Sequence, residues 1–511
     1  MKRKSKIVPA SGVKLDLLAN FSGIGWSALA QIVCVPIFIK FLGIEAFGLL
    51  AFYLVLQALL QVLDFGLSPT LTRELARYSV HPEQAAEARD LVRTLEAGYW
   101  MIGLLIGAGV VIAAPWLAVH WIRAGAIPVQ SVMHAVMLMG ILTLFQWPVS
   151  FYQGGLMGLR KQLLLNALRA GAATLINLGG VLILWRVSPT VQALLLWQGS
   201  VSAVFVTALG IFLWRSLPAA GRIARFDLRT ARHVRRFAVG MTGIAVISLI
   251  LTQADKLFVS KLFSLRALGC YSLAWSVASG PLIVAGCVFN VLFPRMSAAV
   301  SAGAKNAVSR SYHRGAQLMA VLILPTAAIV CLFPFEILRL WTGNSETAAS
   351  AAPIVRVMMA GSAINALLYL PYSLQLAYGW TKLPLAAGLI AISILIPLLF
   401  PMAKYFGLVG AASIWVMLNI LNLAIVVPIM HRRLLPGETW RYYSDVGWPL
   451  LGAVATTAIG RMVCIKLDSP LPTIVALAGL WLASVAGAVA AAPLIRATVW
   501  HHFSKVSLLY A

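Results

Sequence analysis

The sequence has few charged residues, and acidic residues are especially scarce. Only 11% of the 511 residues are charged, and 15 residues are Asp or Glu. Soluble domains carry roughly 25% charged residues. At the same time 61% of the residues are hydrophobic, and the mean hydropathy is +0.89. A water-soluble globular fold is therefore excluded, because one core could not hide this much apolar surface, and a lipid environment is predicted.

The chain also lacks the short motifs of several common enzyme classes. It has no Gly-x-x-x-x-Gly-Lys-Ser/Thr phosphate loop, no His-Glu-x-x-His zinc motif and no Gly-x-Ser-x-Gly nucleophile turn. The cysteines are odd in number, lie within or beside apolar runs and show no metal-ligand spacing: Cys34, Cys270, Cys287, Cys331 and Cys464. We therefore expect free buried thiols, no metal, no cofactor and no enzymatic activity.

Long apolar runs dominate the sequence. A hydrocarbon core about 30 Å thick needs roughly 20 apolar residues per helix. Fourteen runs of this kind occur, at 17–39, 46–64, 97–120, 131–153, 164–185, 191–214, 238–260, 267–293, 315–338, 353–377, 383–402, 408–430, 447–465 and 472–493. The sequence therefore predicts an all-α polytopic integral membrane protein with about 14 transmembrane helices.

The basic residues fix the orientation of these spans. The chain has 40 Lys and Arg residues and a net charge of +25. With the N-terminus inside, 28 basic residues fall in inner segments, eight in outer loops and four within spans. Because cytoplasmic loops retain Lys and Arg, this asymmetry predicts cytoplasmic N- and C-termini. The positive charge is thus explained by topology, and nucleic acid is not an expected partner. The run from Leu17 is long and lacks a small-residue cleavage site, so we expect a retained first span.

The links between spans are short. No outer loop exceeds about 15 residues, which leaves no room for the large outer loop of a membrane sugar polymerase or ligase. The longest inner links, at 73–96 and 215–237, are read as amphipathic helices on the membrane surface, the second rich in arginine. Plain solvated connectors are the alternative.

A weak internal repeat divides the chain. Three pairs of segments match in order, at offsets of 221, 219 and 223 residues: Lys40–Gly48 with Lys261–Gly269, Pro115–Trp121 with Pro334–Trp341, and Pro148 and Ser150 with Pro371 and Ser373. Since six spans is an even number, both copies would enter the membrane in the same direction. We predict an N-terminal lobe (1–214), a basic cytoplasmic linker (215–237), a C-terminal lobe (238–430), a helix pair (447–493) and a cytoplasmic tail (494–511).

Three segments resemble bacterial polysaccharide exporters of the Wzx type. They are FLGIEAFGLLAFYLVLQALLQVLDFGLSPTLTRELAR (41–77), QADKLFVSKLFSLRALGCYSLAWSV (253–277) and FGLVGAAS (406–413). These exporters belong to the superfamily of multidrug, oligosaccharidyl-lipid and polysaccharide exporters. The resemblance implies two lobes around a cationic, water-filled cavity, and the flipping of undecaprenyl-pyrophosphate-linked oligosaccharides across the bacterial inner membrane.

Cationic side chains within spans are the first candidates for substrate binding, because charge inside hydrocarbon is costly. Arg169 lies near the inner end of the fifth predicted span, where its guanidinium would bind pyrophosphate oxygens in a bidentate manner. Arg356 lies near the outer end of the tenth span, and Arg461 lies in the thirteenth. The resemblance implies that Arg461 flanks a groove for the polyprenyl tail, because the last two helices serve this purpose in some relatives. For each arginine the alternative is snorkelling toward the headgroups.

Two acidic positions and their neighbours complete the candidate site. Asp64 ends the second predicted span and would bind a sugar hydroxyl or a proton, or else pair with Arg73 or Arg77 at the inner mouth. Asp255 and Lys256 lie in the seventh span and point about 100° apart on one helix, so they are not assumed to pair. Asp255 is a candidate for the cavity or for ion coupling. Lys256 either binds substrate or anchors the helix at the interface.

The sequence thus predicts a flippase that works by alternating access in polysaccharide biosynthesis. The polymer would be O-antigen, capsule or exopolysaccharide. Its expected partners are the lipid-linked oligosaccharide, membrane lipid, a polysaccharide polymerase and a chain-length regulator. The alternatives are a multidrug or small-cation antiporter of the same superfamily, a noncatalytic scaffold of a glycan-synthesis complex, and a membrane glycosyltransferase.

Overall fold

The computed structural model describes residues 10–64, 66–78, 84–226, 246–247, 249–463 and 469–497, and side chains from Ala30 onward together with Trp26. In these ranges the chain is mostly helical and contains no β-strand. The helices are α1 (Ala10–Leu60), α2 (Leu67–Tyr78), α3 (Ala85–Trp116), α4 (Val129–Gly158), α5 (Gln162–Thr174), α6 (Gly180–Arg186), α7 (Val191–Ser216), α8 (249–262), α9 (Leu265–Ala278), α10 (Gly280–Ser301), α11 (Lys305–Leu332), α12 (Pro334–Thr342), α13 (Ser345–Ala377), α14 (Lys382–Leu421), α15 (Val427–Leu434), α16 (Thr439–Val463) and α17 (Pro470–Ala490).

Eleven stretches within the described ranges are long and apolar enough to cross a membrane. Two of them are broken by a glycine with a positive φ, Gly43 in α1 (81°) and Gly407 in α14 (61°). Residues other than glycine rarely adopt this backbone conformation. It interrupts the helical winding, so the helix axis changes direction there. Each broken helix covers two predicted spans. The predicted span 238–260 lies mainly outside the described residues, and the total of fourteen stays a prediction.

The surfaces of the long helices are apolar, as a lipid environment requires. Leu105 and Ile112 of α3 are 66% and 78% exposed, and Leu482 of α17 is 62% exposed. Exposed side chains of this size are costly in water but neutral against acyl chains. The predicted all-α polytopic membrane protein is confirmed.

Within the ranges that the structure describes, three spans contain a π-helical turn, in which one residue more than usual completes the turn. They are Leu117–Trp121 after α3, Leu175–Gly179 between α5 and α6, and Asn422–Val426 between α14 and α15. In each case the regular α-helix and the π turn form one continuous stretch. Such turns change the direction that later side chains face without ending the helix.

The chain forms two compact units, Met1–Gly269 and Cys270–Ala511. Unit 1 has a core where one end of α3, α4 and α7 meets the amphipathic α2; we call this the α2 end. Its most buried residues include Leu71, Leu75, Leu91, Phe151 and Leu213. Full burial of a leucine or phenylalanine side chain contributes roughly 1.5–3 kcal/mol, so this core holds the four helices together.

Unit 1 extends to Gly269 because the corner between α8 and α9 packs on the end of the third span. Leu265 N donates to Arg123 O at 3.0 Å, Arg123 Nη1 donates to Leu262 O at 3.1 Å, and Lys261 Nζ donates to His120 O at 2.8 Å. Trp121 Nε1 also donates to Ser260 Oγ at 3.2 Å. The predicted lobe boundaries stay a prediction.

Two glycines from the first predicted repeat make reciprocal close contacts. A β-carbon on Gly48 of α1 would lie 1.9 Å from Leu265 O, and one on Gly269 of α9 would lie 2.3 Å from Ile44 O. Both residue pairs are related by the 221-residue offset of the repeat. Equivalent segments that meet about a local two-fold axis make contacts of this reciprocal kind. The duplication itself stays a prediction.

In unit 2 the last two spans pack on α11. Gly452 and Gly487 let α16 and α17 approach closely, and Thr457 Oγ1 lies 3.1 Å from Ser484 Oγ across this contact. Small residues at such crossings are typical of helix packing in membranes. The helix pair is therefore part of the packed body of unit 2.

The two long inner links differ from the predicted surface helices. Residues 73–78 belong to α2 and α3 begins at Ala85, so the first link is not one continuous amphipathic helix. In the second link, residues 217–226 are not helical, and residues 227–237 lie outside the described part of the chain. The helix reading is wrong for 217–226, because Asp90 takes up the polar groups of this segment, as described below.

Candidate functional site

Asp64 organises the start of α2. Its Oδ1 accepts from Ser68 Oγ at 2.7 Å and its Oδ2 accepts from Ser68 N at 3.3 Å, while Gly66 makes the intervening turn with a φ of 68°. Ser68 Oγ also lies 2.7 Å from Tyr99 Oη of α3. Asp64 is half-buried. The carboxylate thus supports the first turn of α2 in the way a helix cap does.

The two arginines predicted at the mouth lie on the exposed face of α2. Arg77 Nη2 lies 3.1 Å from Glu74 Oε2, and its guanidinium stacks 5.0 Å from the centre of the Tyr78 ring. Arg73 is exposed one turn earlier. Arg77 therefore pairs with Glu74 and not with Asp64.

Arg169 of α5 is half-buried and donates to Gln153 Oε1 of α4. Across the described residues, no carboxylate lies within salt-bridge distance of it. The next residue on α4, Gly154, accepts from Thr72 Oγ1 of α2 at 2.9 Å. The structure thus places Arg169 and Asp64 at the same end of unit 1, both linked to the packing of α2 on α4.

Asp255 and Lys256 lie on α8. Lys256 is only 7% exposed, and its Nζ donates to Thr252 O and to Gln253 Oε1, both at 3.4 Å. Asp255 is half-buried. Both of these partners of Lys256 lie on its own helix. The position therefore agrees with substrate binding by Lys256 and also with anchoring of the helix at the interface.

Arg356 and Arg461 lie near the junction of α11 and α12 in unit 2. Arg356 Nε donates to Cys331 O at 3.0 Å. Arg461 Nη1 forms an ion pair with Glu336 and stacks 4.7 Å from the centre of the Phe333 ring. The structure therefore brings these two arginines to one end of unit 2. Glu336 is a partner that the sequence analysis did not identify.

Unit 2 also holds a buried polar network absent from the sequence-based candidates. His313 of α11 is fully buried, with Nδ1 2.5 Å from Asp445 Oδ2 and Nε2 3.1 Å from Glu438 Oε2. Gln317 Nε2 donates to the other oxygen of Asp445 at 2.6 Å, and Leu494 N donates to Gln317 Oε1 at 2.8 Å. The network joins α11 to α16 and to the segment after α17.

Glu438 lies just before α16, outside the spans. Burial raises the pKa of its carboxyl, but the hydrogen bond from Ser309 Oγ at 3.0 Å and the charges of His313 and Arg441 outweigh this effect. The net result is a pKa below the ordinary value. The carboxylate form is therefore the form that this network stabilises.

A second polar cluster that the sequence analysis missed occupies the α2 end of unit 1. Asp90 of α3 accepts from Arg222 through both oxygens, and from Arg225 N at 2.6 Å. The hydrogen bond with Asp90 raises the pKa of the Arg222 guanidinium. Asp90 thereby fastens residues 217–226 to α3, which explains why this part of the basic link is not helical.

Glu96, two turns further along α3, is the other acidic residue of this cluster. Its Oε1 accepts from Tyr152 Oη at 2.6 Å and from Trp214 Nε1 at 3.1 Å, and Arg93 Nη1 donates to its Oε2 at 3.5 Å. Glu96 is only 8% exposed. Two cavities, of about 640 and 540 Å³, lie beside this cluster and share Arg93, Trp214 and Ala224.

No group of three or more His, Cys, Asp or Glu side chains is arranged to hold a metal ion in the described ranges. Cys34, Cys270, Cys287 and Cys331 carry free thiols, and Cys464 lies outside the described residues. The candidate sites therefore consist of arginines, carboxylates and amides. Such groups bind anions and hydroxyl groups.

Two family sequence models match the chain. The model described as polysaccharide biosynthesis protein matches residues 16–300, and the MatE model matches residues 242–400. A putative O-antigen transporter of Shigella flexneri is 22% identical over 419 residues, which cover 81% of this chain and 96% of that protein.

Solved structures share the fold. The lipid II flippase MurJ in an inward closed conformation matches with a TM-score of 0.71 and 13% identity, over 91% of this chain and 97% of that one. An inward-facing multidrug resistance MATE family transporter of the MOP superfamily matches with a TM-score of 0.67 and 12% identity, over 79% and 94%. At these identities the likeness establishes the architecture.

Proposed function

Because the chain belongs to the polysaccharide biosynthesis protein family and is a multi-pass membrane transporter, we propose that it flips undecaprenyl-pyrophosphate-linked oligosaccharides. The transfer would run from the inner to the outer leaflet of the bacterial inner membrane, for O-antigen, capsule or exopolysaccharide synthesis. The observation that carries this proposal is the family match over 16–300. The 96% coverage of the putative O-antigen transporter supports the substrate class.

The charge pattern of the candidate site fits an anionic substrate. Arg169 is held by an amide, and no carboxylate in the described part of the chain neutralises it. Its remaining N–H groups are available to pyrophosphate oxygens, which a guanidinium binds with two parallel hydrogen bonds. Arg356 would bind the same group at the other end of its path, and Arg461 would line a groove for the polyprenyl tail.

Transport would proceed by alternating access. The sugar head enters from the inner leaflet while the tail stays in lipid, and cationic side chains offset the desolvation of the pyrophosphate. Asp64 or Asp255 would bind a coupling ion if a gradient drives the cycle. Lys256 would contribute positive charge to the same path, and Arg73 and Arg77 would attract the substrate to the mouth.

The test replaces Arg169 in a strain whose surface polysaccharide depends on this protein. We expect Arg169→Ala to reduce surface polysaccharide and to accumulate the lipid-linked oligosaccharide, with Arg169→Lys retaining part of the activity. Lys161→Ala is the matched control, because Lys161 is an exposed cation in the loop before α5. Normal surface polysaccharide in a strain whose Arg169→Ala protein is correctly inserted would show that Arg169 does not bind the substrate.

A small-cation or drug antiporter is the second candidate. The MatE match over 242–400 and the MATE-like fold favour it. A cationic drug would need carboxylates along its path, whereas cations are the more numerous charged groups within the predicted spans: Arg169, Lys256, Arg356 and Arg461 against Asp64, Asp255 and Glu336. Altered resistance to cationic drugs with unchanged polysaccharide in the Arg169→Ala strain would favour the antiporter.

The flippase proposal also includes two protein partners, a polysaccharide polymerase and a chain-length regulator. It further places both termini of the chain in the cytoplasm.

A further inference from the structure

A cleft at the α2 end of unit 1 has the composition of an anion site. It is lined by Arg89 and Arg93 of α3, Trp214 of α7, and residues 220–224 of the segment that follows α7. We call it the Arg89 cleft. Its volume is about 640 Å³, and the adjoining cavity of about 540 Å³ continues it toward Trp100. This space is large enough for a polar headgroup.

The walls of the cleft are fixed by hydrogen bonds. Asp90 holds Arg222 and the backbone of Arg225, and Arg89 Nη1 donates to Pro218 O at 3.3 Å. The guanidinium of Arg89 also stacks 5.5 Å from the centre of the Trp214 ring. Side chains held in this way lose less conformational entropy when a ligand binds.

The two acidic residues beside the cleft, Asp90 and Glu96, already accept hydrogen bonds from protein groups. The Arg222 guanidinium donates to both oxygens of Asp90, and Arg225 N donates to Oδ1. Glu96 Oε1 accepts from Tyr152 Oη and Trp214 Nε1. Arg89 has no carboxylate within salt-bridge distance among the described residues. A guanidinium has five donors, and the contacts of Arg89 and Arg93 leave several of them unused. The cleft therefore presents positively charged N–H donors that no protein acceptor occupies.

The position of the cleft favours a membrane ligand. Arg89 and Arg93 lie in the first turns of α3, and Trp214 lies in the last turn of α7, so the cleft opens where two spans end. Tryptophan rings concentrate at the level of the lipid headgroups. The predicted topology puts this end of unit 1 on the cytoplasmic side, where basic pockets between spans bind anionic headgroups.

We propose that the Arg89 cleft binds a phosphate group, carried by an anionic phospholipid or by a soluble phosphate compound. Two guanidiniums would contact one phosphate, and the indole of Trp214, whose N–H already donates to Glu96, would form the apolar wall beside it. This site does not depend on which molecule the chain transports. Its occupant would hold residues 217–226 against α3 in addition to Asp90.

The test measures binding to the purified full chain in neutral detergent by isothermal titration. Three probes are compared: short-chain phosphatidylglycerol, short-chain phosphatidylcholine and inorganic pyrophosphate. Saturable binding of phosphatidylglycerol without the other two identifies a lipid headgroup as the occupant. Pyrophosphate binding of equal or greater strength identifies a soluble phosphate. Absence of saturable binding by both anions, or equal binding of phosphatidylcholine, overturns the proposal.

Substitutions locate the binding. Arg89→Gln and Arg93→Gln should each weaken it about tenfold, because a hydrogen bond to a charged group is lost. Arg432→Gln is the matched control, since it removes the same charge from an exposed position of α15, outside the cleft and outside the proposed transport path. Gel filtration and thermal unfolding confirm folding, and a variant that fails to fold is replaced by the other. Binding unchanged in both cleft variants, or weakened equally in the control, overturns the assignment.

Discussion

The reciprocal crossing of α1 and α9 gives a sharp test of the packing. A β-carbon at residue 48 would lie 1.9 Å from Leu265 O, so Gly48→Ala must push the two backbones apart by about 1 Å before even a tight contact distance is reached. Overpacking in a well-packed site costs roughly 1–3 kcal/mol. Because the obstacle is backbone and not a flexible side chain, we expect the upper part of that range. Gly269→Ala should cost a similar amount, since its β-carbon would lie 2.3 Å from Ile44 O.

The measurement is the unfolding free energy of the purified protein in mixed micelles, titrated with a denaturing detergent. Gly98→Ala is the control, because a β-carbon on this residue of α3 meets nothing within 4 Å. Alanine there should be neutral or stabilising by up to about 1 kcal/mol, from helix propensity. The double variant of Gly48 and Gly269 should cost less than the sum of the single variants, because one separation relieves both clashes. Strict additivity, or single variants that behave like Gly98→Ala, would refute the reciprocal crossing.

Two further predictions concern the buried network of unit 2. Asp445→Ala leaves the buried His313 and Gln317 without their acceptor, and should lower the unfolding free energy by roughly 3–5 kcal/mol, whereas Asp445→Asn should cost less; a loss below 1 kcal/mol for Ala would contradict the network. Because the pKa of Glu438 is lowered in the folded state, its contribution to stability is present above the ordinary carboxyl pKa and is lost as the pH falls through the folded value. Thermal unfolding between pH 7 and pH 4 should therefore show a smaller acid loss for Glu438→Gln than for the unchanged protein, and equal losses would show that Glu438 does not carry this effect.

The sequence predicted the helical fold well because that fold depends on local composition. Apolar length and the cost of unpaired backbone groups in lipid determine where spans form. The breaks at Gly43 and Gly407 also fall between predicted spans, since a glycine and a drop in hydropathy coincide there. Coarse architecture in a membrane is thus mostly a local property.

The polar partners could not be predicted in the same way. Arg461 and Glu336 are 125 residues apart, and His313 and Asp445 are 132 apart. Nothing in the local pattern pairs them, because their approach depends on how α11, α12 and α16 pack. His313 also lies just before the predicted start of its span, where a histidine reads as a surface residue.

The basic link illustrates the same limit. Its arginines predicted a surface helix, but Asp90 of α3 accepts from the side chain of Arg222 and the backbone of Arg225, and residues 217–226 are not helical. The charge pattern of α3 around Arg89 and Arg93 was visible in the sequence. Only the fold showed that these residues face a cleft closed by Trp214 and residues 220–224, which are distant from α3 in the sequence.

The three π-helical turns have a consequence for how the chain length can vary. A turn of this kind is an α-helix that has accommodated one surplus residue, so removing one residue from Leu175–Gly179 would restore ordinary winding while α5 and α6 keep their neighbours. The same deletion in an unbroken span would rotate every later side chain by about 100° and turn buried faces toward lipid. Single-residue gaps between relatives should therefore concentrate at Leu117–Trp121, Leu175–Gly179 and Asn422–Val426.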